Sequence, residues 1–267
     1  MQQPAPLDPE LVARFQAWQR DSALPAIILE GAGPALPTRG GSRIGGPAFL
    51  PEGAQWPLDK EGAPMAFLAQ IDFGELPRLE DYPESGVLQF FIARDIYFGA
   101  DFAKPDAGDF RLVYLTDTDV SGTLRASRYD GRNGEDFYTP LYSDQLQHTG
   151  VRLAGKPGSV APHVFSFNLR RDLPEILTGD NYAILNALVQ QGYGDVPEVH
   201  HIGGHPQFTQ DDWRRTEELQ QADLVLLNLW SHDGLMWGDA GQGQFLIRRE
   251  DLKARRFDRA YYSWDSS

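Results

Sequence analysis

The sequence predicts an α+β fold: a single compact domain of mainly antiparallel strands, built from an internal duplication, with a few peripheral helices. The first observation is a repeated motif, because Ile44-Gly45-Gly46 recurs 158 positions later as Ile202-Gly203-Gly204. The second is an apolar block at the same offset, where residues 68–72 align with residues 226–230. The third is composition, since 27 Gly and 19 Pro favour strands joined by tight turns over a helical bundle.

A third repeated block has the slightly smaller offset of 155, a difference that one loop deletion explains. Three blocks in one order indicate a diverged duplication, and a site is expected where the two copies face each other. The matched residues of the third block are Gly86, Phe90 and Ile92 with Gly241, Phe245 and Ile247.

No linker or charge block separates the copies, so the sequence predicts one domain over residues 1–267. Within it we expect an N-terminal helix at about 8–23, copy one at about 34–115 and copy two at about 196–267, with an intervening segment at 116–195.

The N-terminal helix is predicted from an N-cap Asp8, a proline at the first helical position and a glutamate in the first turn. A second helix is expected within residues 174–191, and a short one starting at the Asp211-Asp212 pair. Residues 116–158 are polar and rich in turn signals, so no strand is expected there. The predicted strands cover residues 26–30, 65–73, 86–92, 110–115, 164–168, 224–229, 241–247 and 257–264.

The net charge of −14 and the pI near 4.8 argue against direct nucleic-acid binding, because an acidic surface repels phosphates. The same field favours a basic protein partner. No stretch approaches the roughly 18 consecutive apolar residues of a membrane span, and the N-terminus lacks a secretory signal. Without cysteine there is no disulfide and no thiolate chemistry, so we expect a cytoplasmic protein without a membrane partner.

Polar side chains in and beside the apolar strands form the first candidate site. Gln70 and Asp72 share one face of a buried strand, Asn228 is the symmetric equivalent of Gln70, and Arg43 lies in the first Gly-rich loop. Buried polar groups need partners, so they bind either a ligand in the cleft between the copies or the Gly-rich turns themselves. The loop at 38–47 fits neither phosphate-binding glycine motif, and a turn that requires small residues is the favoured interpretation.

Histidines suggest a second, metal-binding interpretation of the same cleft. His201, His205 and Asp239 are candidate ligands, although their spacing is not that of a helical HExxH motif. Structural histidines near a turn are the commoner alternative. Trp237 is a candidate for the wall of an apolar groove, or for the core. No set of residues forms a convincing nucleophile and base pair, so we assign no catalytic residue and no cofactor.

Four motifs resemble the signature of the YwqG-like proteins, a bacterial family of unknown function. They lie at residues 42–47, 67–72, 202–208 and 236–241, in that order, and the resemblance runs from about residue 34 to the C-terminus. It implies one α+β domain built by duplication, with no established catalytic residue. At positions where the family has Gln and Asp in its second buried strand, this chain has Asn228 and Trp230.

The resemblance also implies a function, because some relatives are found near polymorphic toxin genes. We expect a non-enzymatic binding protein, an immunity protein that neutralises a basic toxin such as a nuclease. Two alternatives stay open. One is an enzyme or small-molecule binder that uses the cleft between the copies, and the other is an intracellular scaffold.

Overall fold

A computed structural model describes residues 7–127, 139–177, 181–193, 198–232 and 234–266. The described residues form five α-helices: α1 (Pro9–Asp21), α2 (Phe167–Asp172), α3 (Asn181–Gln190), α4 (Glu217–Gln220) and α5 (Arg249–Lys253). The Asp8 carboxylate accepts a hydrogen bond of 3.0 Å from the Glu10 amide, which confirms the predicted N-cap of α1.

Twelve strands are formed by the described residues. They are β1 (Leu24–Pro34), β2 (Arg43–Ile44), β3 (Ala48–Pro51), β4 (Ala66–Asp72), β5 (Val87–Ile92), β6 (Phe110–Leu115), β7 (Gly122–Arg125), β8 (Val151–Val160), β9 (His200–Gly203), β10 (Leu224–Trp230), β11 (Gln242–Ile247) and β12 (Tyr261–Asp265). Ten of them make one antiparallel sheet in the order β12-β11-β10-β9-β1-β8-β2-β4-β5-β6, and β3 and β7 form a separate ribbon. The mainly antiparallel sheet with a few helices confirms the predicted fold class at that level.

The sheet curls into a nearly closed, barrel-like shape, because strands from its two ends pack against each other. The rings of Phe90 in β5 and Phe245 in β11 lie 4.9 Å apart, and Phe110 and Tyr262 lie 5.5 Å apart. The Tyr262 amide in β12 also donates to the Pro105 carbonyl, at 2.9 Å, just before β6. The largest apolar cluster includes these aromatic rings.

The two halves of the sheet share local geometry at positions that the sequence aligns. The glycines of both Ile-Gly-Gly motifs have positive φ angles between 67° and 71°, in the left-handed region that favours glycine. Both β4 and β10 also carry a register irregularity, at Leu68 and at Leu226, which is the same repeat position. A duplication would produce this likeness, and the duplication itself remains a prediction.

Three local sequence predictions are wrong. Residues 164–168 form a turn and the start of α2 rather than a strand, because the Ser166 hydroxyl caps that helix through the Asn168 amide. The Asp211-Asp212 pair starts no helix, since Asp212 instead forms a buried ion pair with Arg214. The segment 116–158 contains β7 and most of β8, which no alternation in the sequence had indicated.

No helix in the described part of the chain combines the length and the apolar character needed to cross a bilayer.

Replacing Phe245 by alanine tests the importance of the packing inside the curled sheet. Its ring is fully buried and stacks on Tyr262 at 4.5 Å, so the Phe245→Ala variant leaves a cavity that its neighbours cannot fill. We expect the free energy of unfolding in urea to fall by about 3 to 5 kcal/mol. Val120→Ala, at a side chain with 68% exposure, is the control and should change stability by less than about 0.5 kcal/mol. A loss below about 1 kcal/mol for Phe245→Ala would contradict this role.

Candidate functional site

The first group of predicted site residues secures the first Gly-rich loop. Gln70 in β4 is fully buried, and its amide nitrogen donates to the carbonyls of Arg39 and Gly41 at 3.0 and 2.8 Å. The Asp72 carboxylate accepts from the Gly41 amide at 2.9 Å. Arg43, directly opposite Gln70 in the register of β2 and β4, is also buried. These side chains therefore bind main-chain groups of the 39–41 turn.

The second group repeats this arrangement across the sheet. Asn228 in β10 lies opposite His201 in β9, and its amide nitrogen donates to the Val199 carbonyl at 3.3 Å. At the sequence offset of 158 residues, Val199 corresponds to Gly41, whose carbonyl accepts from Gln70. The strands β1 and β8 separate β9 from β2, so the two groups of predicted residues lie on different parts of the sheet.

The remaining predicted residues lie in three different surroundings. The His205 ring contacts the Ser22 carbonyl at 2.8 Å through Nε2 and the Asn168 side-chain nitrogen at 3.3 Å through Nδ1. Trp237 is fully buried and packs among aromatic rings, so it belongs to the core. Asp239 is exposed. No three His, Asp or Glu side chains of the described ranges are placed to hold a metal ion, and this includes the His201, His205 and Asp239 set.

His201 is a buried neutral histidine. Its Nδ1 lies 2.9 Å from the Gly203 carbonyl, a pure acceptor, so Nδ1 carries the proton and donates. The Nε2 atom is buried, and no described residue hydrogen-bonds to it. Burial is the largest cause that lowers the pKa of His201, to about 4, so the ring is uncharged at neutral pH.

A cleft of about 950 Å³ at one end of β5 and β6 was missed by the sequence analysis. Five carboxylate side chains and two cationic side chains line the cleft, so it is strongly acidic. We call it the acidic cleft, and its charged lining residues are Asp59, Glu61, Asp95, Asp101, Asp109, Lys60 and Arg94. Three of these aspartates lie in the connection between β5 and β6, residues 93–109. This concentration of acidic residues in one loop was the sequence signal that could have indicated the cleft.

Each aspartate of the acidic cleft uses one oxygen to hold a turn of the cleft wall. Asp95 Oδ1 accepts from the amides of Tyr97 and Gly99 at 2.8 and 2.9 Å. Asp59 Oδ1, Asp101 Oδ1 and Asp109 Oδ2 bind main-chain amides in the same way, at 2.7 to 3.0 Å. The carboxylates are therefore fixed in place, and each has a second oxygen.

Those second oxygens are not neutralised from within the described part of the chain. None of the ion pairs formed there involves any of the four aspartates. The Lys60 ammonium of the cleft donates to the Ala107 carbonyl, at 2.6 Å. Asp109 Oδ1 is buried and therefore closed to an outside molecule, whereas Asp59, Asp95 and Asp101 reach solvent. The arrangement can accept hydrogen bonds from a cation.

Aromatic side chains form one rim of the acidic cleft. Tyr97 and Phe102 are 52% and 48% exposed, and their rings meet edge to face at 6.0 Å. Phe102 also packs on Trp264 at 5.5 Å, and the Trp264 indole donates to the Tyr97 carbonyl at 2.6 Å. The rim is therefore anchored to β12. Exposed aromatic faces attract ammonium and guanidinium groups, so the rim and the carboxylates suit the same kind of ligand.

The buried His201 predicts a loss of stability in mild acid. In the unfolded chain His201 binds a proton near pH 6.5, and in the folded chain only near pH 4. The free energy of unfolding therefore has its full value above pH 6.5 and decreases as the pH falls toward 4. Between pH 7 and pH 5 the unfolding free energy of the wild type falls, and we expect that of His201→Gln to fall by roughly 1 to 2 kcal/mol less. Urea denaturation at both pH values measures it.

Val120→Ala, an exposed position without a titratable group, provides the control for this pH effect, and His163 is present in every variant. Burial lowers the pKa of His163 to about 4 as well, so it contributes equally to all proteins compared. Val120→Ala should leave the pH dependence of the wild type unchanged. An unchanged pH dependence in His201→Gln would show that His201 is not the buried titrating group.

The comparisons with known proteins give one family. No curated protein matches the chain. The sequence model of a family described as a domain of unknown function, DUF1963, matches residues 42–266. This range includes β2 to β12, and with them both groups of buried polar residues and the whole acidic cleft. The chain belongs to the DUF1963 family of proteins of unknown function.

Proposed function

We propose that this protein is a non-enzymatic binding protein that holds a basic protein partner at the acidic cleft. The observation that carries the proposal is the set of three solvent-accessible aspartates, Asp59, Asp95 and Asp101, which main-chain amides hold in place and which form no ion pair with a described residue. Preformed acceptors cost little to organise on binding, so a partner's lysine or arginine gains most of the available interaction. The aromatic rim adds apolar contact area around these charges.

The charge of the whole chain supports the same partner chemistry. A net charge of −14 attracts a basic protein over distances of about a Debye length, roughly 10 Å at 0.1 M salt. Such steering raises association rates by about 10 to 10³ and weakens as salt increases. The cleft concentrates acidic groups on a rigid wall, so the proposed complex forms fastest and most tightly at low ionic strength.

The finer identity of the partner rests on the resemblance to YwqG-like proteins. Some of those relatives are found near polymorphic toxin genes, which supports a role as an immunity protein in the cytoplasm. The partner we propose is therefore a basic toxin effector, such as a nuclease, whose positively charged nucleic-acid-binding surface complements the acidic cleft.

The alternative of an enzyme or small-molecule site between the repeat copies draws less support from the contacts. Gln70, Asp72, His201 and Asn228 each hydrogen-bond to the main chain of a nearby turn or loop. Side chains committed in this way are positioned to stabilise loops. The acidic cleft, by contrast, offers unpaired carboxylate oxygens to an outside molecule, which also distinguishes it from a purely structural scaffold.

A pull-down from the lysate of the source organism tests the proposed function. The bait is the full chain, compared with a Glu61→Lys/Asp101→Lys variant that reverses two cleft charges. We expect the wild type to retain a basic protein at about 50 mM salt and release it near 1 M, where the Debye length is only about 3 Å. The double variant should bind that protein on the order of tenfold more weakly in a follow-up titration.

Glu52→Lys/Glu80→Lys reverses two exposed charges outside the acidic cleft, so it changes the net charge equally and is the matched control. It should weaken binding less than the cleft variant does. Equal weakening by both variants would mean that net charge acts without a defined site. Failure to retain any basic protein at low salt would contradict the proposed function.

A further inference from the structure

Arg43 is a buried charge that pairs with no carboxylate in the described part of the chain. Its side chain is 2% exposed, and its guanidinium donates to three carbonyls: Thr38 at 3.3 Å, Gly40 at 3.2 Å and Pro47 at 2.6 Å. The third nitrogen, Nε, is buried and has no hydrogen-bond partner in the ranges that the structure describes. Carbonyl groups satisfy N–H donors but carry no net charge, and a cation–π contact with the Phe67 ring, whose centroid lies 5.7 Å from Arg43 Cζ, compensates the cation only in part.

Burial is the sole cause that lowers the pKa of Arg43, to about 10. No neighbouring carboxylate acts in the opposite direction, and the side chain stays charged at neutral pH. Removing a charge from water costs several kcal/mol unless a counter-charge or a ligand accompanies it. An arginine in this state has an unused capacity to bind an anion.

A second, small cavity of about 50 Å³ lies at the start of β2, beside the 39–41 turn. Arg43, Arg152, Glu75, Thr38 and Gly40 are among its lining residues. Because one water needs about 10 to 15 Å³ of such space, the cavity has room for a few waters or one small oxyanion. Thr38, Glu75 and Arg152 are exposed, so the cavity opens to solvent.

Arg152 provides a second positive charge in this cavity. It lies opposite Arg43 in the register of β2 and β8, and directly paired residues of antiparallel strands project on the same face of a sheet. Two arginines on one face can bind two oxygens of the same anion. Glu75 is the one carboxylate of the cavity lining, and it opposes an anion.

We propose that this cavity binds a small oxyanion, of the phosphate or carboxylate type, between Arg43 and Arg152. The positive charge comes from two strand side chains, so the site needs no helix N-terminus and no phosphate-binding glycine motif. The site occurs in one half of the sheet only. The neutral His201 stands at the repeat position of Arg43 and supplies no charge there.

The Arg43 Nε–H signal in an NMR spectrum of the full chain is the direct readout. Phosphate and acetate are titrated separately, with sodium chloride adjusted to keep the ionic strength constant. We expect this signal to shift along a saturating curve with at least one of them. Tighter binding of phosphate would indicate a phosphorylated ligand, and tighter binding of acetate would indicate a carboxylate ligand.

Two exposed positions give matched variants with opposite expectations. Arg152→Gln should weaken anion binding about two- to fivefold, the range expected for one exposed charge pair, and Glu75→Gln should strengthen it by a similar factor. A shift that only grows linearly with both anions would overturn the proposal. Saturable binding with the same affinity in both variants would also overturn it, because the anion would then lie elsewhere.

Discussion

The antiparallel pairing of β1 with β8 is the constraint on which the rest of the structure depends. β1 pairs on its other edge with β9, and β8 pairs on its other edge with β2, so this one ladder joins the two halves of the sheet. It permits close approach because β8 has glycine where side chains would collide. A Cβ atom at Gly155 or Gly158 would lie 2.8 or 2.7 Å from Ile27 or Ile28 of β1.

The same pair explains what sequence reasoning could and could not predict. Buried strands of mostly apolar sequence, such as β4 and β5, were predicted to within one residue at each end, because their burial depends on their own side chains. The cap of α1 followed from Asp8 alone. β8 was missed because its glycines and Pro157 are typical of a turn. The requirement for small residues at these positions follows from the pairing of β8 with β1, which lies far away in the sequence.

The candidate site illustrates the same limit. Gln70 and Asn228 could be predicted as buried polar groups, since each interrupts an apolar strand. Their partners are main-chain carbonyls of loops. Every residue has such a carbonyl, so the sequence does not indicate which one accepts the hydrogen bond. The acidic cleft combines turns from residues 59–64 and 93–109, which only the folded sheet brings together. The sequence also cannot show that Arg43 lacks a carboxylate partner among the described residues, because this depends on which side chains the fold places around it.

The sequence separation between β1 and its partner β9 has a consequence for biosynthesis. Leu29 leaves the ribosome before its β9 partner His200 by about 170 residues, or roughly 10 to 30 s of translation. Until then one edge of β1 has no neighbour and is a template for pairing with other nascent chains. The half-sheet of β2, β4, β5 and β6 can form early, but the barrel-like sheet closes only after β12 has been synthesised. Chaperone protection during this interval matters more for this topology than for one built from local hairpins.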